Sequence, residues 1–269
     1  MERDRAVEAV RMNGGAKRFA AALRAAGAQH GGREVWEELV ERYGERWRHY
    51  HTLEHVADCL ERLDDWKGLA ERPEEVELAL WFHDAVYVPL KGSNEEKSAE
   101  LACQRLETLG VPAERRERIA AYILATKAHE PADGDPGLVL DLDLSILGAT
   151  EDRFDRYEQQ IRQEYAFVPR PLYRRKRRAL LHELLNRANL FNHSPIRAAL
   201  EERARKNLIG WDEATGLRFA KLEVVTQPAN TRLRPQGKGD RSWTILASIF
   251  TRSTPKSASS TRKAKSSSR

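Results

Sequence analysis

Two adjacent ionisable residues, His83 and Asp84, interrupt a stretch of the sequence, 78–88, that is otherwise almost entirely apolar. The apolar residues fall on every side of a helix, so the stretch is predicted to be a helix buried in the middle of a domain. A buried carboxylate is costly unless it is paired or bound to a metal. Neighbouring helical residues point about 100° apart, so both side chains can converge on one ion between them. The pair is therefore a candidate metal site.

A second apolar run, 138–147, contains two acidic residues, Asp141 and Asp143. If the run is helical, residues two apart point to opposite faces, and only one of the two carboxylates can face a shared site. If it is a strand, both carboxylates share one face and can simply be solvated. The residues alone leave both alternatives open.

The third candidate element contains His51 and His55, which are four residues apart. On one helix their rings would lie on the same side, a common spacing for metal ligands. Thr52 is a candidate N-cap, however, and such a cap would leave His51 just outside the helix. A lone buried histidine is more often a core residue than a ligand. The ordered combination of a His, a His-Asp pair and an Asp on apolar elements favours a metal site much more strongly.

Five local strings extend this pattern. They are Tyr50–His55, Trp81–Tyr87, Asn94–Ala99, Asp141–Gly148 and Ile161–Tyr165. Together they resemble a bacterial subgroup of the HD superfamily of metal-dependent phosphohydrolases, over about residues 33 to 208. Members of that subgroup are described only as predicted hydrolases, so the resemblance implies no particular substrate.

The resemblance implies a set of metal ligands. They are His55, His83, Asp84 and Asp143. Asp143 is preferred to Asp141 because the superfamily usually follows its last Asp with an apolar residue that opens a helical turn, although Leu follows both here. Two imidazoles and two carboxylates suit Mn²⁺, Fe²⁺, Co²⁺, Ni²⁺ or Zn²⁺ better than Mg²⁺, which prefers oxygen ligands. The identity of the ion, Mg²⁺ included, is left open.

Asp84 and Glu95 are the predicted catalytic residues. Asp84 would orient a metal-bound water or accept its proton, and Glu95, in the first turn of the next helix, would assist proton transfer. The residues expected to contact the substrate phosphate are His51, His129, Arg48 and Lys127. The expected substrate is a small phosphorylated molecule, for example a nucleotide.

Other interpretations are kept beside this one. A di-iron oxygenase of the HD fold would need extra histidine ligands, which His51 and His129 are placed to supply. A non-catalytic protein would use the metal only for stability. Glu95 and the basic residues are also consistent with a solvated helix surface, and the basic block Arg174–Arg178 is typical of one.

Helical periodicity dominates from about residue 16 to 210. The predicted helices are 16–27, 33–43, 52–66, 73–88, 94–109, 112–127, 140–147, 150–166, 170–189 and 194–208. The fold class is therefore all-α, and the resemblance implies a compact HD-type helical bundle. Residues 1–210 are predicted to form the metal-binding domain. Residues 211–269 are predicted to be a C-terminal extension, mostly disordered from about residue 251, where Ser, Thr, Lys and Arg dominate.

The charge is distributed unevenly along the chain. From residue 221 onward there are 11 basic and two acidic residues, whereas 35 basic and 39 acidic residues precede it. The body is thus mildly acidic, which makes nucleic-acid binding unexpected except weakly through the basic tail. Two cysteines, no apolar N-terminal signal and no apolar run of about 20 residues predict a soluble, cytoplasmic protein without a membrane partner. The sequence leaves the oligomeric state open.

Overall fold

The computed structural model describes residues 14–212 and 217–218. The α-helices in this part of the chain are α1 (Gly14–Ala25), α2 (Arg33–Tyr43), α3 (Leu53–Trp66), α4 (Pro73–Phe82), α5 (Asn94–Thr108), α6 (Ala113–Ala128), α7 (Gly134–Asp143), α8 (Glu151–Glu164), α9 (Arg170–Leu185) and α10 (Ser194–Gly210). Two 3₁₀ segments, Lys67–Leu69 and Leu144–Gly148, follow α3 and α7. For the described residues the all-α prediction is confirmed.

Helix α4 lies at the centre of the molecule. Residues 78–82 are fully buried, and the helix packs against α1, α3, α5, α6 and α7. Two aromatic residues at its end, Trp81 and Phe82, form a cluster with Phe19 of α1 and Trp36 of α2. The buried position predicted for this apolar stretch is confirmed, and the end of α4 is thereby brought to the middle of the fold.

Helix α4 ends at Phe82 rather than at residue 88, so the predicted length was wrong. Side chains of α5 bind the backbone of residues 86–88 in place of helical hydrogen bonds. Ser98 accepts a hydrogen bond from the amide of Val86, and Asn94 binds both the amide and the carbonyl of Val88. Periodicity cannot reveal this ending, because the residues stay apolar.

Helix α7 occupies 134–143 and not 140–147. Residues 134–139, which lie between two of the predicted helices, are therefore helical. Asp135 in the first turn of α7 accepts hydrogen bonds from the amides of Glu71 and Arg72. The remaining predicted helices agree with the structure to within about two residues at most ends, although α9 stops at Leu185 rather than 189.

Few residues are described after α10. Trp211–Asp212 (β1) and Leu217–Arg218 (β2) form a two-residue antiparallel pair. The predictions of a separate extension and of disorder from residue 251 concern residues that lie mostly outside the described ranges, and they stay predictions. Within the described ranges, no helix is both long and apolar enough to cross a membrane.

Candidate metal centre

Two histidine nitrogens meet at the centre of the bundle. His55 lies in the first turn of α3, which begins after the cap formed by the hydroxyl of Thr52 on the amide of Glu54. His83 directly follows α4, and its Nδ1 donates to the carbonyl of Leu80 at 2.9 Å. This bond directs His83 Nε2 toward His55 Nε2, 3.1 Å away. Both residues are only 2 % exposed.

Two carboxylates complete the cluster. Asp84 Oδ2 lies 3.0 Å from His83 Nε2, and Asp143 Oδ1 lies 3.0 Å from His55 Nε2. The two remaining nitrogen–oxygen separations, His55 to Asp84 and His83 to Asp143, are both 3.7 Å. The structure therefore brings the four expected ligands together from α3, the turn after α4 and the end of α7.

The spacing of these donor atoms fits a divalent transition ion. Two ligand atoms each about 2.1 Å from an ion and at right angles to one another are about 3.0 Å apart, which matches the three shorter separations. Two imidazoles and two carboxylates are a donor set that such ions accept. The residues present therefore fit a metal, and these four side chains would hold it.

The charges of the cluster favour a cation at its centre. Burial raises the pKa of Asp143, but hydrogen bonds from His129, His55 and His83 outweigh it and hold that pKa well below 3.8. Burial likewise raises the pKa of Asp84, and His83 together with the other histidines lowers it below its usual range. Both carboxylates are thus ionised in a half-buried place, where unpaired charge is costly.

Asp141 lies on the opposite side of α7. Its carboxylate accepts hydrogen bonds from the backbone amides of Asn192 and His193 at 2.6 and 2.7 Å, and it holds the start of α10 in place. The helical alternative for this run therefore applies. Asp143 faces the cluster and Asp141 faces away.

His129 holds the second oxygen of Asp143. Its Nε2 lies 2.9 Å from Asp143 Oδ2, and its backbone is left-handed, with φ of 46° at the end of α6. Burial lowers the pKa of this imidazole. His129 lines the cavity above the cluster, but its observed contact is with a metal-ligand candidate, so it is placed to orient Asp143.

His51 is bound to a carboxylate that the sequence interpretation did not single out. Its Nδ1 lies 2.6 Å from Glu164 Oε2, and its ring stacks on Tyr87 with centroids 4.0 Å apart. Glu164 also accepts hydrogen bonds from three successive backbone amides, 49–51, and from the Tyr87 hydroxyl. Burial raises the pKa of Glu164, but His51 and these amides prevail and lower it to about 2.

The resulting pair is an imidazole oriented by a carboxylate. Burial lowers the pKa of His51, whereas the charges of Glu164 and Asp84 and the hydrogen bond to Glu164 raise it more, so the pKa of the imidazole lies above its ordinary value. Because Nδ1 is engaged by Glu164, Nε2 is the nitrogen that remains for the cavity, which His51 lines. Such a pair can donate or accept a proton.

Arg48 is not placed to contact a substrate. Its guanidinium is fully enclosed and donates to the carbonyls of Asp84 and Ala85 at 2.7 and 3.1 Å, and to the carboxylate of Glu45. This position differs from the expected one. Because α4 ends at Phe82, the carbonyls of Asp84 and Ala85 have no helical hydrogen-bond donor. Arg48 supplies the donors and thereby fixes the backbone that carries Asp84.

Glu95 lies on the cavity wall. Burial raises its pKa, and the charge of Asp84 adds to the effect. Its Oε2 is buried and has no hydrogen-bond partner among the described residues. Lys127, expected at the phosphate, instead forms an ion pair with Glu96 and is not among the cavity-lining residues.

Three residues of the cluster, His83, Asp84 and Asp143, line a cavity of about 80 Å³. Two basic residues line it as well. Lys91 is exposed at its edge, and Arg177, the fourth residue of the basic block 174–178, lies in its wall. Arg177 is only 3 % exposed and is held by Glu158 and the Tyr157 hydroxyl. The prediction that the basic block forms a solvated helix surface is therefore wrong for Arg177.

Several site residues were not predicted from the sequence. Glu164 lies in the resembling string Ile161–Tyr165, which was its only signal. Tyr157 gave none, and Arg177 had only its place in the basic block 174–178, because the role of both depends on how α8 and α9 pack against the cavity. Comparisons of this chain with protein-family models, curated proteins and solved structures give no match. The site is therefore interpreted from its own geometry.

Proposed function

We propose that this protein is a metal-dependent phosphohydrolase that cleaves a phosphate ester with a metal-activated water. The proposal includes membership of the HD superfamily, as the sequence strings imply. The observation that carries it is the convergence of His55, His83, Asp84 and Asp143 beside a cavity that the last three of them line. A divalent ion bound there would lower the pKa of a water and stabilise charge on phosphoryl oxygens.

The surrounding residues suit the remaining steps. Asp84 is the carboxylate positioned to orient the attacking water and accept its proton. His51, oriented by Glu164, is the donor for the oxygen of the leaving group. Glu95 is a second carboxylate on the wall that can hold or pass on a proton. Lys91 at the edge of the cavity supplies positive charge for an approaching phosphate.

The size of the cavity bears on the substrate. Pockets that enclose whole drug-sized ligands measure about 300–1,000 Å³, whereas this one measures about 80 Å³. It therefore suits the phosphoryl end of a small substrate, with the leaving group extending past Lys91. A nucleotide would fit only with its base outside.

The proposal is tested with a panel of phosphomonoesters, nucleotides and phosphodiesters, each assayed with Mn²⁺, Fe²⁺, Co²⁺, Ni²⁺, Zn²⁺ and Mg²⁺. We expect hydrolysis with at least one ion, and we expect His83→Ala and Asp84→Ala to lose both bound metal and activity. His30→Ala is the control, because His30 is exposed and remote from the cluster in sequence.

Three results would contradict the proposal. Activity retained in Asp84→Ala would exclude the metal-activated mechanism. Iron-dependent oxygen consumption without hydrolysis would instead support the oxygenase alternative, and tight metal binding without either reaction would support a binding protein. Metal content is measured in every variant, so that loss of the ion is distinguished from loss of the chemistry.

A further inference from the structure

An arginine in the cavity wall has hydrogen-bond donors that no other described residue engages. Arg177 is only 3 % exposed and lines the cavity together with Asp84 and Asp143. Its Nε and Nη2 donate to the two carboxylate oxygens of Glu158 at 3.0 and 2.6 Å, and Nη2 also donates to the Tyr157 hydroxyl at 2.8 Å. A guanidinium has five N–H donors. These three bonds leave the two N–H groups of Nη1 without a partner among the described residues.

Glu158 and Tyr157 fix the orientation of this guanidinium. Glu158 is itself only 2 % exposed, and the guanidinium carbon of Arg177 lies over the Tyr157 ring, 5.3 Å from its centroid. Because Nε and Nη2 form the edge of the guanidinium that faces Glu158, Nη1 is the nitrogen that remains for the cavity that Arg177 lines. Buried polar groups are normally hydrogen-bonded. The unused donors therefore call for an acceptor inside the cavity.

The proposed chemistry supplies an acceptor of the matching kind. The carboxylates of Asp84 and Asp143 line the same cavity and disfavour an anion there. A divalent ion at the proposed centre would offset both of these charges. Arginine suits phosphoryl oxygens, because its N–H donors are planar, fixed in direction and always charged. A terminal oxygen of a phosphoryl group beside the ion is therefore the acceptor that fits Nη1 of Arg177.

The opening of the cavity limits how many ester substituents a bound phosphate can carry. Among the described residues that line the cavity, Lys91 alone is exposed, so the opening lies there. We infer that Arg177 binds a terminal phosphoryl oxygen through Nη1, and that the substrate is a phosphomonoester whose single substituent extends past Lys91. The second substituent of a diester would take the place of that oxygen, against Arg177. This inference rests on the proposed function and adds the substrate class and the residue that recognises it.

The test measures the binding of inorganic phosphate, methyl phosphate and dimethyl phosphate to the full-length protein by calorimetry, with the ion of the panel that it binds most tightly. We expect the wild-type protein to bind dimethyl phosphate about 10-fold or more weakly than the other two, because the diester loses the hydrogen bonds to Nη1. Arg177→Lys keeps a cation beside Glu158 but removes Nη1. It should weaken the binding of phosphate and methyl phosphate by about 10–100-fold and leave the metal affinity unchanged.

Arg153→Lys is the matched control. Arg153 is as buried as Arg177, it pairs with the carboxylate of Asp58 through Nε and Nη2, and it is not among the residues that line this cavity. Its replacement should leave the phosphate affinity unchanged. If Arg177→Lys does not fold, the double variant Arg177→Met/Glu158→Met takes its place, because apolar side chains often replace a buried ion pair without loss of stability. The same loss of phosphate affinity is expected there. If neither variant folds, the wild-type comparison of the two methyl esters decides.

Three results overturn the inference. The first is equal affinity of the wild-type protein for methyl and dimethyl phosphate. The second is a wild-type phosphate affinity in Arg177→Lys, which would show that Nη1 binds only water. The third is an equal loss in Arg153→Lys, which would show a general effect of replacing a buried arginine. If the wild-type protein binds phosphate as expected but hydrolyses no ester, only the proposed function fails. If it hydrolyses monoesters and diesters equally well, only the inference fails, and if it binds no ion, both fail.

Discussion

Glu95 is held in a place that disfavours its charge. The carboxylate is largely buried, one oxygen has no partner among the described residues, and Asp84 lies near enough to repel it. Burial and this repulsion raise the pKa of Glu95, so the folded state binds its proton more tightly than the unfolded state does. Residues kept at such a cost are typical of functional sites.

We therefore expect Glu95→Gln to stabilise the protein at pH 7, by about 0.5–2 kcal/mol, while it lowers the rate of hydrolysis. The sign follows from the raised pKa. Above the ordinary value of 4.5 the folded state bears the cost of a charged Glu95, and below it Glu95 is neutral in both states. The gain, measured by denaturant unfolding, should thus vanish as the pH falls below about 4.5.

Glu100→Gln is the control, because Glu100 is exposed on the same helix. It should change neither stability nor its pH dependence beyond about 0.5 kcal/mol. A Glu95→Gln protein that is less stable than the wild type at pH 7 would show that the carboxylate has a stabilising partner.

At the scale of residues, helical periodicity predicted which acidic side chains can share a site. Residues two apart on a helix face opposite ways, and Asp141 and Asp143 do so. The placement of His51 just outside α3 likewise followed from the capping preference of Thr52, which the observed cap bears out. No local rule indicated Glu164, because its partners 49–51 lie more than 110 residues away in the chain.

At the scale of elements, Glu164 joins the end of α8 to the turn before α3. One carboxylate oxygen accepts the three amides of residues 49–51 at 2.8–2.9 Å, and the other meets His51 and Tyr87. The turn that precedes His55 is thus fixed by a helix on the other side of the cavity. These hydrogen bonds hold the end of α8 and the turn before α3 in position relative to each other.

We expect Glu164→Gln to lower the free energy of unfolding by about 2–4 kcal/mol, because a charged acceptor of several buried donors is lost. Thermal unfolding at pH 7 measures this. Glu202→Gln, which removes an exposed i,i+4 ion pair with Lys206, should cost less than about 1 kcal/mol. Comparable losses in the two variants would contradict the role given to Glu164.

The ends of elements were also where sequence interpretation failed. Arg48 was expected at the substrate, but it binds the backbone carbonyls of Asp84 and Ala85. That role requires α4 to stop at Phe82, and nothing in the apolar run after it signals the stop. The Asn94 and Ser98 side chains, which bind residues 86–88 instead, belong to the next helix.

At the scale of the whole molecule, the proposed ligands join α3, the end of α4 and the end of α7. The unfolded chain cannot present this arrangement, so a bound ion stabilises the folded state alone. At an ion concentration 100 times Kd we expect about 2.7 kcal/mol of added stability, seen as a higher Tm that a chelator reverses. His83→Ala should gain nothing, and an equal gain there would place the ion elsewhere.

All proposed site residues lie between positions 48 and 177, within the described part of the chain. A protein ending at Asp212 is therefore expected to keep its metal affinity and a Tm within about 2 °C of the full chain. Any weak, salt-dependent binding of nucleic acid should disappear with the basic residues after 221. A large fall in Tm would contradict the predicted boundary near residue 210.

The contact of His83 Nδ1 with the carbonyl of Leu80 has a consequence for how the centre fills. Burial disfavours the imidazolium, but Asp84 and Asp143 prevail and raise the pKa of His83 well above 6.5. The imidazolium form carries a proton on Nε2, the nitrogen that a metal requires unprotonated. An ion that binds at the proposed centre would have to displace this proton, so we expect its apparent affinity to rise with pH up to the raised pKa. Binding would then release protons, and the heat of binding should vary with the ionisation enthalpy of the buffer.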